Sequence, residues 1–188
     1  ALIFLVMFVG AKMYVDSEYF QLRCIYSDVD GKRYCVRERS KLTLAADRLA
    51  HVRAHLDRLV HHCSNTKSDL PSVKRMVANY NPKNICETLP TSEYTAYSEN
   101  KGEKLAFCLD KNKNSQGGLI DLNTLTFVAI HELAHVATKS IGHTPEFWAN
   151  FKMLLEEAVE IDVYTPINYN EEPVTYCGME ITDNPYYH

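Results

Sequence analysis

Residues 121–148 read DLNTLTFVAIHELAHVATKSIGHTPEFW, and the rest of the chain is best read outward from them. From Leu125 to Lys139 apolar side chains occupy nearly every face of a helix, the pattern of an element buried on all sides. Asn123 or Thr124 can cap its start. His131, Glu132 and His135 stand inside that apolar run, and polar groups removed from water need partners or a chemical task. His131-Glu132-Leu133-Ala134-His135 is an HExxH pattern. Residues four apart share one helical face, so both imidazoles can bind one metal ion while the glutamate reaches the water beside it. At this chain's own His and Glu frequencies the pattern arises by accident in roughly 2 to 3 per cent of cases, so it calls for a chemical reading.

His143 follows, directly before Thr144-Pro145-Glu146, which is a helix start: a capping hydroxyl, proline at the first helical position and an acid in the first turn. Phe147, Phe151, Leu154, Leu155 and Ala158 form the core stripe of that helix, with Trp148 beside it. His143 is the expected third ligand. Glu157 and Glu156 are the alternatives; at about 100° per residue Glu156 points away from the stripe, Glu160 nearly so, and Glu157 sits on its flank. Three neutral imidazoles leave a zinc ion its charge and an open position, where a bound water's pKa falls to about 7. With Glu132 taking the water's proton and returning it to a departing amine, peptide-bond hydrolysis is the expected outcome. The strand Leu105 to Leu109 (LAFCL) is the candidate edge on which an extended peptide would pair. Tyr164, Tyr169 and Tyr176 are unranked candidates for an oxyanion donor.

Further out, Leu42, Ala45, Leu49, Val52, Leu56, Leu59, Val60 and Cys63 recur at three-or-four spacing, which predicts a long amphipathic helix beginning near Ser40 or Thr43. His51 and His55, with His61 and His62 nearby, lie 90 to 130° off its stripe by about 100° per residue and lack an intervening Glu, so a solvated face is expected there. Val73, Met76 and Val77 suggest a short helix, Lys104 to Asp110 a strand, and Lys111 to Gly118 a turn. From Ile161 the pattern loosens into an extended tail.

Composition limits the function classes. The chain has 188 residues, 46% hydrophobic, with net charge -4, enough for one domain and without the basic field that nucleic-acid binding requires. Ala1 to Ala11 carry no charge before Lys12, about half of the roughly 20 apolar residues of a membrane span. Residues 1–15 therefore read as a truncated single-pass anchor that upstream residues would complete, with a buried core element or a signal-peptide remnant as alternatives, and 16–188 as a single catalytic domain. Six cysteines without a CxxC pair point to disulfides in an oxidising compartment, buried thiols being the alternative. FQLRCIY and RYCVRER flank Asp28-Val29-Asp30-Gly31, a register that sets Cys24 opposite Cys35 across a hairpin.

HELAH followed by GHTPEFW resembles the WLM and SprT-like zinc metallopeptidases over roughly Leu105 to Leu155, and DLNTLTFVAIHELAH with the YCGMEITDNP tail also resembles metallopeptidases encoded by large DNA viruses. The resemblance implies a minimal zincin-like α+β domain of active-site helix, following helix and small mixed sheet with an edge strand. It carries over His131, His135 and His143 as zinc ligands and Glu132 as catalytic base. The expectation is thus a membrane-anchored zinc-dependent peptidase acting on a protein or peptide, touching a lipid bilayer through its N-terminal segment, in an oxidising compartment or a virion. The alternative is a non-catalytic structural protein of a virion, in contact with other virion proteins, that retains the zinc site.

Overall fold

Five α-helices and seven short strands form among residues 2–15, 22–113 and 118–188, the part of the chain that this computed structural model describes. They comprise α1 (Leu2–Val15), β1 (Leu22–Tyr26), β2 (Arg33–Arg37), α2 (Leu42–Thr66), α3 (Pro71–Asn79), β3 (Ile85–Glu87), β4 (Ala96–Glu99), β5 (Lys104–Phe107), α4 (Leu122–Ala137), α5 (Pro145–Glu160), β6 (Val174–Tyr176) and β7 (Met179–Ile181). A single 3-10 turn, Pro185–Tyr187, follows. The class is mixed α+β, as expected. Residues 16–21, where the catalytic domain was expected to begin, and 114–117 of the expected turn lie outside the described residues.

The HExxH helix α4 is buried on nearly every side, packed against α2, α3 and α5. Leu49, Leu56 and Leu59 of α2, Leu125, Ile130 and Leu133 of α4, and Phe151 and Leu154 of α5 share one core. Each such side chain contributes about 1.5–3 kcal/mol by leaving water, so packing rather than propensity holds the helix that carries the histidines. Its cap is Asp121, which accepts from Thr124 N at 2.8 Å, not Asn123 or Thr124; a carboxylate at the N-cap satisfies the amide three residues on. Thr144 caps α5 as expected, accepting from Phe147 N. The helix α2 starts at Leu42, and neither Ser40 nor Thr43 caps it.

The central sheet has the order β3-β5-β4, with β5 parallel to β3 and antiparallel to β4. The expected edge strand is therefore the middle strand. LAFCL is buried throughout, and an unbroken apolar run suits a strand covered on both sides, whereas an edge strand keeps a half-exposed face. Of the two outer strands β3 is buried and β4, AYSE, is the open edge, with every residue intermediate or exposed.

A buried ionic cluster ties the β1–β2 hairpin to this sheet. Arg37 donates from its main chain to Glu87 Oε2 (2.7 Å) and from its guanidinium to Thr88 O (2.7 Å) and Thr88 Oγ1 (2.8 Å), while Arg39 pairs with Glu87 and with Asp110 Oδ1 (2.8 Å). Burial pushes the Glu87 carboxyl above its ordinary range against the lowering effect of Arg39. Cys24 and Cys35 face each other in the hairpin register and are bridged, as expected; a second bridge joins Cys108 to Cys177. Cys63 and Cys86 lie buried outside these bridges.

The tail beyond α5 is not extended throughout. It folds into the β6–β7 hairpin, and Tyr164 and Tyr169 pack on Phe127 of α4 with ring centroids 5.8 and 4.9 Å away. At the other end of the chain α1 spans 14 residues, about 21 Å at 1.5 Å per residue against a hydrocarbon core of about 30 Å. No described helix is long and apolar enough to cross a membrane.

Candidate metal centre

His131 and His135 project from one face of α4, and their ring centroids are 5.0 Å apart. His143 reaches them from the α4–α5 loop, with centroids 4.9 Å from His131 and 5.1 Å from His135. One ring nitrogen from each histidine lies within 4.8 Å of the other two, and the Nε2 atoms of His131 and His143 are 3.1 Å apart. Two ligands held at about 2.0–2.1 Å on a tetrahedral ion are about 3.3 Å apart, so the His131–His143 pair has the spacing of two ligands of one zinc ion, with the His135 nitrogen within reach. Three neutral nitrogen donors also suit zinc and leave a fourth position for a reactant. Burial and the neighbouring imidazoles push His131 down to about 3 and His135 to about 4, so both present lone pairs rather than protons at neutral pH.

The loop that delivers His143 is fixed by its backbone partners. Gly142, at φ +82°, turns the chain where a Cβ would be strained. The Glu146 carboxylate accepts from Lys139 N (3.1 Å), Ser140 N (3.2 Å) and Ser140 Oγ (2.9 Å). Lys101 Nζ donates to Thr138 O (2.9 Å) and Ser140 O (2.7 Å), and Arg75 donates to Ala137 O. These cations satisfy carbonyls that the end of α4 leaves open. Phe147 stacks on His135 at 4.3 Å and meets His131 and His143 edge-on or tilted at 4.9 and 4.7 Å, while Trp148 covers His143 at 5.5 Å. The stripe expected to be core packing is also the wall that orients the imidazoles.

Glu132 is 6% exposed, and its carboxylate accepts from the Ser98 main-chain N–H of β4. Burial pushes it up to about 8 despite that bond; a divalent cation alongside favours the ionised form and opposes the shift. Cys108 N donates to Thr95 O, so in the antiparallel register Tyr97 and Glu99 turn their main-chain groups toward β5 and Ala96 and Ser98 turn theirs outward. An open cleft of about 1090 Å³ runs along β4 from Tyr94 to Lys101 and holds His131, Glu132, His135 and His143. A second, smaller cavity adjoins it.

Of the three tyrosine candidates, Tyr176 alone lines a described cavity with His131 and Glu132; its hydroxyl donates to Thr95 O at 3.2 Å. Glu157 stands apart from the three histidines, bound to His62 Nε2 (2.9 Å) and Lys67 Nζ (3.0 Å), and Glu156 is exposed. The histidines of α2 depart from the expected solvated face: His51 and His61 are exposed, but His55 Nδ1 bonds Thr126 Oγ1 at 2.9 Å and His62 holds Glu157. Sequence reasoning missed β4 and Ser98. The alternation in Tyr94-Thr-Ala-Tyr-Ser98, rich in β-prone residues, was the available signal.

The chain is similar to an uncharacterized protein of Acanthamoeba polyphaga mimivirus, 27% identical across 98% of this chain and 92% of that protein. It is also similar to uncharacterized proteins of Invertebrate iridescent virus 6 (33% identical, 45% of this chain and 47% of that protein) and Invertebrate iridescent virus 3 (48%, 24% and 29%). No protein-family model and no solved structure matches. These relatives are viral proteins, and together with the two disulfides they are compatible with a virion or an oxidising compartment.

Proposed function

We propose that this chain is a zinc-dependent peptidase of WLM/SprT-like, minimal zincin-like character, with His131, His135 and His143 holding the ion and Glu132 acting as general base. The observation that carries the reading is the meeting of three imidazoles from two separate segments beside a buried glutamate, on the open side of an edge strand. An accidental HExxH pair gives no reason for a third histidine, held by Glu146, Lys101 and a glycine turn, to arrive at the same point.

A zinc ion bound there supplies a Lewis acid that polarises a carbonyl and acidifies a water. The chain's own groups do the rest. Ala96 offers its outward N–H and C=O, and Ser98 its outward C=O, along which an extended peptide adds as a further strand, the Ser98 N–H being held by Glu132. Glu132 takes a proton from the attacking water and returns it to the nitrogen of the departing amine. Phe147 and Trp148 pack against the imidazoles and fix their orientation, while His143 stays open to solvent. In this reading α1 is the contact with a lipid bilayer; its uncharged Leu5, Met7 and Phe8 are each more than half exposed.

A second reading, a non-catalytic structural virion protein that retains the zinc site, is favoured by the exposed apolar helix together with two disulfides in a chain whose relatives are viral. Glu132→Gln separates the two. Wild type and variant are expected to bind one zinc per chain, and hydrolysis of a peptide library is expected to fall about 10²–10⁴-fold in the variant, the range of general acid–base catalysis. Wild-type protein that holds zinc and cleaves nothing sinks the peptidase reading and leaves the second.

A further inference from the structure

The smaller cavity beside the histidines, about 240 Å³, is bounded by Phe127 and Val128 of α4, Trp148 and Phe151 of α5, and Met179 and Ile181 of the C-terminal hairpin. It reaches His131 and Glu132 and therefore opens on the site itself. A dry cavity of about 150 Å³ lined by aliphatic and aromatic side chains admits benzene, so this one has room for a Phe, Leu or Met side chain. Glu180 and Asp183 also line it and oppose entry of an acidic one.

Position along β4 gives the pocket a direction. It touches the strand at Thr95 and Ala96, whereas the wide cleft continues to Lys101 and holds His135 and His143. A peptide added antiparallel to β4, the slightly more stable arrangement, runs from the Lys101 end toward Thr95. The residue that arrives at the pocket then lies past the histidines, toward the peptide's C-terminus. The hairpin wall is held in place beforehand by the Cys108–Cys177 bridge, by Cys177 N to Asp110 O (3.0 Å) and Gly178 N to Lys111 O (2.8 Å), and by Asn184 Nδ2 to Ile167 O (2.8 Å).

We propose that this pocket receives a bulky apolar side chain of the substrate on the amine side of the bond to be cut, with the C-terminal hairpin as the wall that sets its size. The proposal rests on the peptidase reading and adds the substrate class to it. The sequence alone concealed the pocket, because Met179 and Ile181 are more than thirty residues from His143 and only the folded tail brings them to it.

The test has two arms on the full chain. In the first, Phe-Ala-amide, Leu-Ala-amide, Gly-Ala-amide and Asp-Ala-amide, which stand in for the amine product, are titrated calorimetrically into zinc-loaded protein. The Phe and Leu compounds are expected to bind at least about tenfold more tightly than the other two, the scale on which apolar pockets discriminate. Ile181→Trp, which fills the pocket, is expected to remove that difference with zinc content unchanged. If this variant does not fold, Ile181→Ala is expected to move the preference toward Trp-Ala-amide. In the second arm, mass spectrometry of a cleaved peptide library is expected to find Phe, Leu or Met as the first residue of each new amine. Equal binding of all four amides, or an apolar preference only on the acyl side, overturns the proposal. Selective binding that Ile181→Trp abolishes, without any hydrolysis, overturns the peptidase reading and leaves an apolar peptide-binding pocket.

Discussion

Three residues, His143, Glu157 and Glu156, were candidates for the third ligand, and Glu156 is exposed. His143 shares a point with His131 and His135, while Glu157 is occupied by His62 and Lys67. Elemental analysis is expected to find one zinc per chain in wild type, a large loss in His143→Ala, and no loss in Glu157→Ala. Glu157→Ala should instead lower stability by about 1–3 kcal/mol, because it strands a half-buried imidazole and removes a charged partner. Zinc lost from Glu157→Ala but not from His143→Ala would reverse the assignment. Glu146 gives a pH test of the loop. Bonds from Lys139 N, Ser140 Oγ and Ser140 N hold its carboxyl below the ordinary 4.5. A carboxyl lowered on folding stabilises the fold above its unfolded value and loses that contribution as pH falls through its folded value. The melting temperature of wild type is therefore expected to exceed that of Glu146→Gln at pH 6, with the gap closing as the pH falls below about 4.5; a gap independent of pH would argue against a charged role. Of these residues, the histidines and Glu132 were legible because four-residue spacing on a buried helix is a local property. The loop partners Lys101 and Arg75 were not, since the carbonyls they donate to are brought near by the fold, and the sequence showed Glu146 only as a first-turn acid, not as the acceptor of three bonds from Lys139 and Ser140.

Among the elements, β4 borders the cleft that holds the histidines; sequence reasoning missed it and placed β5 at the edge in its stead. A strand of four residues with intermediate burial carries little periodic signal, whereas β5 is so apolar that its existence was plain and its central position was not. Ala96 turns its N–H away from β5, so Ala96→Pro removes an outward donor without breaking the ladder, the one setting in which a strand accepts proline. The expected result is a melting temperature near that of wild type and a kcat/KM for peptides about tenfold lower, the equivalent of one hydrogen bond. Unchanged kcat/KM would place the peptide elsewhere. Helices fared better: the stripes of α2 and α5 and the near-uniform apolarity of α4 are written in side-chain periods that need no knowledge of partners.

For the whole molecule, the two bridges differ in what they close. Cys24–Cys35 spans 11 positions within one hairpin, and Cys108–Cys177 spans 69 and fastens the tail beside the site. By loop-closure entropy the longer bridge is worth about 4 kcal/mol and the shorter about 3. Without reductant, two of the six cysteines are expected to react with a thiol reagent in denaturant, and Cys177→Ser is expected to lose about 4 kcal/mol; five or six reactive thiols would remove the case for an oxidising compartment. The Cys24–Cys35 pairing was readable because it follows from hairpin register, a matter of adjacent residues. Its companion was not, because four cysteines scattered between positions 63 and 177 allow several pairings until the chain is folded. The α+β class, the helix that bears His131, Glu132 and His135, and the capped start of the helix behind His143 were legible before any fold was known, since each follows from spacing along a few turns of chain. Only folding shows which strand is the open edge, which acidic residue is engaged elsewhere, and which tail residues wall the pocket. Those depend on contacts between segments tens of residues apart, and side-chain periodicity holds no record of which buried faces meet.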